Sequence, residues 1–174
     1  MQGTILQVNV SPGGIPKRPI AGGLITSLGI EGDGHAHPQF HGGPERAILL
    51  IAMETVEELK TRGYPLFAGA MGENLTTRGI DVRALRPGDR LRAGGAELEI
   101  TRPRVPCSQL RVYGETLGHE IYDELVKAFN PDTPRWGMSG FYARVVSPGE
   151  VRPGDIIAVV RDVSEELSSL AGGS

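Results

Sequence analysis

The amino-acid sequence predicts a mostly-β fold, a closed or nearly closed β-barrel with a few short helices. Three observations carry that expectation. Glycine and proline supply 25 and 13 of the 174 residues, an excess that suits many turns between short strands and disfavours a helical bundle. Seven or eight segments of strand length alternate or run apolar, and only two change to a helical period. Arg86-Pro87-Gly88-Asp89 recurs as Arg152-Pro153-Gly154-Asp155, each copy just before a strand. Pro then Gly suits positions i+1 and i+2 of a type II turn, so the two copies read as equivalent barrel corners rather than as a repeat architecture.

The elements follow in order. Thr4 to Val10 alternates, with Leu6, Val8 and Val10 on one face and Gln7 and Asn9 on the other. It reads as a half-buried strand that Ser11-Pro12-Gly13-Gly14 stops. Leu24 to Ile30 reads as a second strand, and Gly29 to Gly43 as a long loop rich in Gly, His and Pro, of the length that compact domains keep for function or mobility. Ala47 to Ala52 is an apolar run suited to a buried strand. Met53 to Arg62 changes period, with Met53, Val56 and Leu59 on one side and Glu54, Glu57, Glu58 and Lys60 on the other. That is an amphipathic helix with Gly63 as its C-cap. Asn74 to Thr77 suits a strand. Arg90 to Arg92 and Ala96 to Thr101 suit a hairpin turning at Gly94-Gly95, with Ala96, Leu98 and Ile100 sharing a face. A second helix is expected from about His119 to Phe129, where Ile121, Leu125 and Phe129 recur at spacing four and Pro131 ends it. Phe141 to Val146 and Asp155 to Val160 are the closing strands.

Composition bounds the function. The length fits a single domain, expected over 1–163, and the small polar stretch 164–174 reads as a flexible C-terminal tail. No apolar run approaches the roughly 18 residues of a membrane span, and no basic-then-apolar leader opens the chain. One cysteine excludes an internal disulfide framework and suits a reducing cytoplasm. A net charge of −3 gives no electrostatic reason to expect nucleic acid.

Chemistry-bearing residues are few. Cys107 ends Arg102-Pro103-Arg104-Val105-Pro106-Cys107, where two prolines stiffen the backbone. Nearby guanidinium groups favour a thiolate, the form that acts as nucleophile and metal ligand; a lone cysteine is equally at home as a small buried hydrophobe. His35, His37 and His41 fall within seven residues and form an alternative metal site through imidazole, although no HExxH pattern accompanies them and such loops are often simply solvated. Gly32-Asp33-Gly34, Gly42-Gly43-Pro44 and Gly72-Glu73-Asn74 are polar turns of the kind that form anion-binding nests, without a P-loop or dinucleotide fingerprint. Lys17, Arg18, Arg46, Arg104, Arg111 and Arg135 are candidate phosphate contacts, each also readable as ordinary surface charge.

Seven segments in order resemble MOSC domains, the molybdenum-cofactor sulfurase C-terminal domains. They are the opening strand with Ser11-Pro12-Gly13-Gly14-Ile15-Pro16-Lys17, then Gly32-Asp33, His41-Gly42-Gly43-Pro44-Glu45-Arg46-Ala47, Gly72-Glu73-Asn74-Leu75-Thr76, Arg86-Pro87-Gly88-Asp89-Arg90-Leu91, Pro103-Arg104-Val105-Pro106-Cys107 and Tyr142-Ala143-Arg144-Val145. The resemblance runs from about Ile5 to Val160. It implies a barrel related to the pyruvate kinase β-barrel domain. It also implies a molybdopterin-type cofactor whose molybdenum is bound by the thiol of Cys107, the residue matching the family's key cysteine, and reduction of N-hydroxylated compounds. Arg46, Asn74, Thr76 and Arg104 match positions that line the same pocket, and Lys17 joins them as a cofactor contact. The resemblance leaves a second reading, a sulfur carrier with Cys107 as persulfide, and a third is a non-enzymatic module for an anionic ligand. No pyridoxal-phosphate domain accompanies the chain, so pyridoxal phosphate is not expected in it. A cysteine-desulfurase or sulfurase partner, or an external electron-donor protein, is implied instead, with a small molecule as substrate.

Overall fold

A computed structural model describes residues 1–34 and 42–160. The strands are β1 (Gln2–Val10), β2 (Arg18–Ile20), β3 (Gly23–Thr26), β4 (Gly29–Ile30), β5 (Ile48–Ala52), β6 (Leu75–Arg78), β7 (Arg90–Ala93), β8 (Ala96–Pro103), β9 (Phe141–Ser147), β10 (Gly149–Val151) and β11 (Ile156–Val160). The helices are α1 (Met53–Thr61), α2 (Leu117–Ile121) and α3 (Glu124–Lys127). Strands pair in the order β11-β7-β8-β9-β5-β6-β1, and β1 pairs back onto β11, which closes a seven-stranded barrel. Every pairing around it is antiparallel except β5 with β6. β2 adds to the far end of β1, and β3, β4 and β10 make a separate small sheet.

The repeated Arg-Pro-Gly-Asp segments form equivalent corners. Gly88 and Gly154 have φ of 96° and 94°, the positive values that glycine accepts in a type II turn. Asp89 Oδ2 accepts from the N–H of Arg86 at 2.7 Å, and Asp155 Oδ2 from that of Arg152 at 2.8 Å. Each corner clamps a barrel strand by the same two bonds. Gly88 donates to Ile100 O while Ile100 donates to Asp89 O; Gly154 donates to Ile5 O while Ile5 donates to Asp155 O.

Three expectations are corrected. In β1 Ile5 and Val8 lie in the inner core with Val10 packed against it, and Leu6 is 43% exposed. The register against β6 shifts between Ile5 and Gln7; this β-bulge at Leu6 breaks the alternation, so that Ile5 and Val8, three positions apart, both join the inner core. The stretch 24–30 is a hairpin, β3 with β4, rather than one strand. The helix expected over 119–129 is two short ones. Tyr122 is extended, with φ −152° and ψ 138°, and Asp123 caps α3 by accepting from the N–H of Val126 at 2.9 Å. An aspartate that caps outcompetes its own place inside a helix, which leaves Leu125 and Phe129 half-exposed. β2 and β10 have too few residues to show a period and were not expected from the sequence.

The barrel wall separates two cores. β5 is buried along its whole length and serves both. Ile48 and Leu50 join Ile5, Val8, Leu75, Leu98 and Phe141 inside the barrel. Leu49 and Ile51 join Val56, Leu59, Met71, Leu110, Leu117 and Ile121 in a second cluster, between the wall and α1, α2 and the 3-10 turn Ser108–Tyr113. Burial on both faces explains why this strand reads as a continuous apolar run. Trp136 plugs the barrel: 1% exposed, it stacks edge-on against Phe141 at 5.5 Å and donates from Nε1 to Leu85 O at 2.9 Å.

Candidate functional site

The second core opens at one end into a cleft. The cleft encloses about 560 Å³ of space, its open mouth included, and brings together Lys17, Arg46, Asn74, Arg104 and Cys107 with Gln109 and Tyr142. Its floor is the outer face of the barrel wall, Leu49 of β5 and Tyr142 of β9, and Met71 and Cys107 close it from the added layer. Residues distant in sequence meet here because β5, β6, β8 and β9 are neighbours.

Cys107 follows β8 and precedes the 3-10 turn Ser108–Tyr113. Its thiol is half-buried and disulfide-free. Arg104 is fixed at both ends. Its backbone N–H donates to Gly140 O at 2.9 Å. Its Nη2 donates to Met71 O at 2.9 Å and lies 3.8 Å from Cys107 Sγ, with the sulfur as acceptor. The side chain is 3% exposed overall, yet Nε and Nη1 have no hydrogen-bond partner among the described residues. Buried guanidinium N–H groups left bare are costly, which marks them as donors aimed at something that enters the cleft.

Lys17 and Asn74 are wired into the wall. Asp33 forms an ion pair with Lys17, both side chains under 10% exposed at 4% and 8%. Its Oδ2 also accepts from Asn74 Nδ2 at 2.7 Å, and its Oδ1 from the N–H of Ser11 at 2.9 Å. Asn74 Oδ1 accepts from the N–H of Leu49 at 3.1 Å. One carboxylate thus ties the chain after β1 to the start of β6, and a carboxamide ties that to β5. Thr76 is fully buried and does not line the cleft. It bonds Glu73 and Asn9 instead, donating to Glu73 Oε1 at 3.0 Å and accepting from Asn9 Nδ2 at 3.2 Å. Glu73 Oε1 also accepts from the N–H of Gly69 at 2.6 Å, so the Glu73 carboxyl closes the loop whose Met71 carbonyl holds Arg104. Burial pushes the Glu73 carboxyl above the usual range, against the pull of those hydrogen bonds and of Arg104.

Two cleft residues were not among the candidate site residues. Tyr142 is 9% exposed, and Arg46 lies over its ring at 5.9 Å, within cation–π range. Burial pushes the phenol up, while the charges of Arg104 and Arg46 pull it down and that of Cys107 pushes it further up. The signal that could have found it is alternation: in Phe141-Tyr142-Ala143 the flanking residues point into the barrel, so the tyrosine must point out, toward the second core. Gln109 had no local signal. Of the other candidate cations, Arg18, Arg111 and Arg135 do not line the cleft; Arg111 pairs with Glu115 and Arg135 with Asp123. His35, His37 and His41 lie outside the described residues. No group of three metal-ligating side chains occurs among the described residues.

The donor set suits an anionic group bearing a thiophilic metal. A half-open thiol supplies the soft ligand, and the bare N–H groups of Arg104, with Arg46 beside them, suit oxygen atoms carrying negative charge. No helix among the described residues is long and apolar enough to cross a membrane.

The family model of the MOSC domain matches residues 37–158. The uncharacterized protein YflK of Bacillus subtilis (strain 168) is 34% identical over 145 residues, covering 81% of this chain and 60% of YflK. Protein YiiM of Escherichia coli (strain K12) is 31% identical over 169 residues, covering 92% of this chain and 71% of YiiM. The chain thus spans less than two-thirds of the first of these relatives. Among solved structures, YiiM from Geobacillus stearothermophilus superposes with a TM-score of 0.68 at 27% identity, covering 91% of this chain and 75% of that one. A closed barrel with this strand order, a proline-framed cysteine at its outer cleft and these relatives lead to one assignment: the chain belongs to the MOSC domain family.

Proposed function

We propose that this MOSC protein binds a molybdopterin-type cofactor through the thiolate of Cys107 and reduces N-hydroxylated small molecules. The observation that carries the reading is the pair of bare, buried N–H groups of Arg104 beside the half-open thiol. When bound, the metal centre supplies the two electrons of the reduction. The chain's own residues bind and orient. Cys107 furnishes the soft ligand. Arg104, held by Met71 O, presents its free edge to anionic oxygen, and Arg46 adds a second positive charge at the cleft wall. Lys17 and Asn74 act through the Asp33 network, which keeps the wall in place. An external electron-donor protein is part of the reading.

The test uses phenylhydroxylamine as substrate and dithionite as the reductant standing in for the donor protein. Purified protein should form aniline, and Cys107→Ala should not. Equal turnover by both proteins, or none by either, would contradict the reading.

The Nη2 donor 3.8 Å from Sγ favours a second reading, since it would equally stabilise the terminal charge of a persulfide. In that case Cys107 carries sulfur from a cysteine-desulfurase or sulfurase partner. Intact-mass analysis then shows one added sulfur on Cys107, removed by a thiol reductant; protein that never gains it after incubation with a desulfurase and cysteine excludes this role.

A further inference from the structure

Reduction of an N–O bond needs protons as well as electrons. The balance is R–NH–OH + 2 e⁻ + 2 H⁺ → R–NH₂ + H₂O: the N–O bond breaks, the hydroxyl oxygen leaves as water and the nitrogen keeps the second proton. An external one-electron carrier protein of iron–sulfur, flavin or haem type supplies the electrons in two steps. Hydroxide is a poor leaving group, so the oxygen must be protonated as the bond opens.

Few described groups at the cleft have a proton to give. Five lining side chains titrate: Lys17, Arg46, Arg104, Cys107 and Tyr142. Arginine does not deprotonate in proteins. The Lys17 ammonium is held by Asp33, both nearly buried. Cys107 is assigned to ligation. Among the described groups, the phenol of Tyr142 is left. It sits on β9 with only 9% of its surface exposed, Arg46 lies over its ring at 5.9 Å, and the charges of Arg104 and Cys107 also act on it.

Resting on the reductase reading, we propose that Tyr142 donates its hydroxyl hydrogen bond to the oxygen of an N-hydroxylated substrate and passes that proton to it as the N–O bond breaks. The tyrosinate left behind faces two guanidinium groups, which stabilise it until solvent returns a proton through the open mouth. Burial keeps the phenol protonated throughout the neutral range, so the donor is loaded before substrate arrives. Tyr142 is thereby a catalytic residue, and Arg46 and Arg104 take a second role in holding its charge.

The test begins with metal-free protein, in which tyrosine ring carbons are labelled and followed by NMR. The chain has four tyrosines, and the Tyr142 signal is the one absent in Tyr142→Phe. Phenylhydroxylamine should shift that signal and leave the other three in place; an unmoved Tyr142 signal overturns the proposal. In loaded protein, Tyr142→Phe keeps the ring under Arg46 and should retain wild-type molybdenum content. Its turnover should fall about 100-fold or more, the usual yield of a general acid, with the alkaline limb of the pH profile lost. Turnover within threefold of wild type overturns the proton transfer. Wild-type protein that binds no molybdenum and reduces nothing overturns the reductase reading and the proton transfer with it, while the NMR shift still decides separately whether the phenol meets the N–OH group.

Discussion

Asp33 holds three partners in the wall of the cleft: the Lys17 ammonium, the Asn74 carboxamide and the N–H of Ser11. Removing one partner of a buried pair leaves the other charge unpaired, at a cost of roughly 3–5 kcal/mol. Asp33→Ala should lose stability of that order in urea denaturation, and adding Lys17→Met should recover much of the loss. If Lys17→Met gives no recovery, the ion pair is not what the carboxylate supports. Glu73 makes the opposite prediction. Its folded-state pKa is raised above the ordinary 4.5, chiefly by burial. The neutral form therefore favours folding: that contribution is full below about pH 4.5 and is lost as pH rises through the higher folded-state value. Glu73→Gln keeps an acceptor for Gly69 and removes the charge, so its Tm should exceed wild type at pH 7–8 and the gap should close below pH 4.5. A chain of this size shifts by about 2–4 °C per kcal/mol. A gap of the reverse sign at pH 7 would mean that attraction to Arg104 outweighs desolvation. At this scale the sequence spoke clearly where a local frame constrains a residue. The prolines around Arg104 and Cys107 point to a thiol on a constrained segment, and Cys107 lines the cleft with Arg104 Nη2 3.8 Å from its sulfur. It was silent where a role depends on partners far along the chain: nothing near Asn74 announces that its carboxamide is used by Leu49 and Asp33, nor that Thr76 faces Glu73 rather than the cleft.

The elements repeat this division. The Arg-Pro-Gly-Asp corners were legible because their chemistry is local, a positive φ and an aspartate three residues from its partner N–H. A Cβ at Gly88 or at Gly154 meets nothing within 4 Å, so only backbone strain opposes a side chain there. Gly88→Ala and Gly154→Ala should each cost about 1–2 kcal/mol, and by nearly equal amounts in denaturant melts. Costs differing by more than about twofold would show that the corners are not equivalent. The bulge at Leu6 and the break at Tyr122 were illegible for the reverse reason. Periodicity reports facing only while register is unbroken, and the bulge is set by how β1 meets β6. In 119–129 the spacing of Ile121, Leu125 and Phe129 is real, but Asp123, bonded to Val126 N and to Thr133 Oγ1 at 2.6 Å, imposes a cap that spacing alone does not reveal.

On the scale of the whole molecule, the candidate cleft sits outside the barrel. The inner core sets the strand order, and the outer core, built from the second face of β5 with α1, α2 and the Ser108–Tyr113 turn, leaves a gap at one end where the proline-framed thiol and the arginine edge meet. Substitutions inside the barrel, such as Leu98→Ala, should therefore lower stability by about 2–5 kcal/mol without changing metal content per folded molecule. The most direct test of the cleft's assignment is the molybdenum-to-protein ratio, measured by elemental mass spectrometry on protein purified from a molybdenum-replete host. Wild-type protein should carry the metal and folded Cys107→Ala should have lost it. Equal ratios in the two, or none in either, would contradict the assignment.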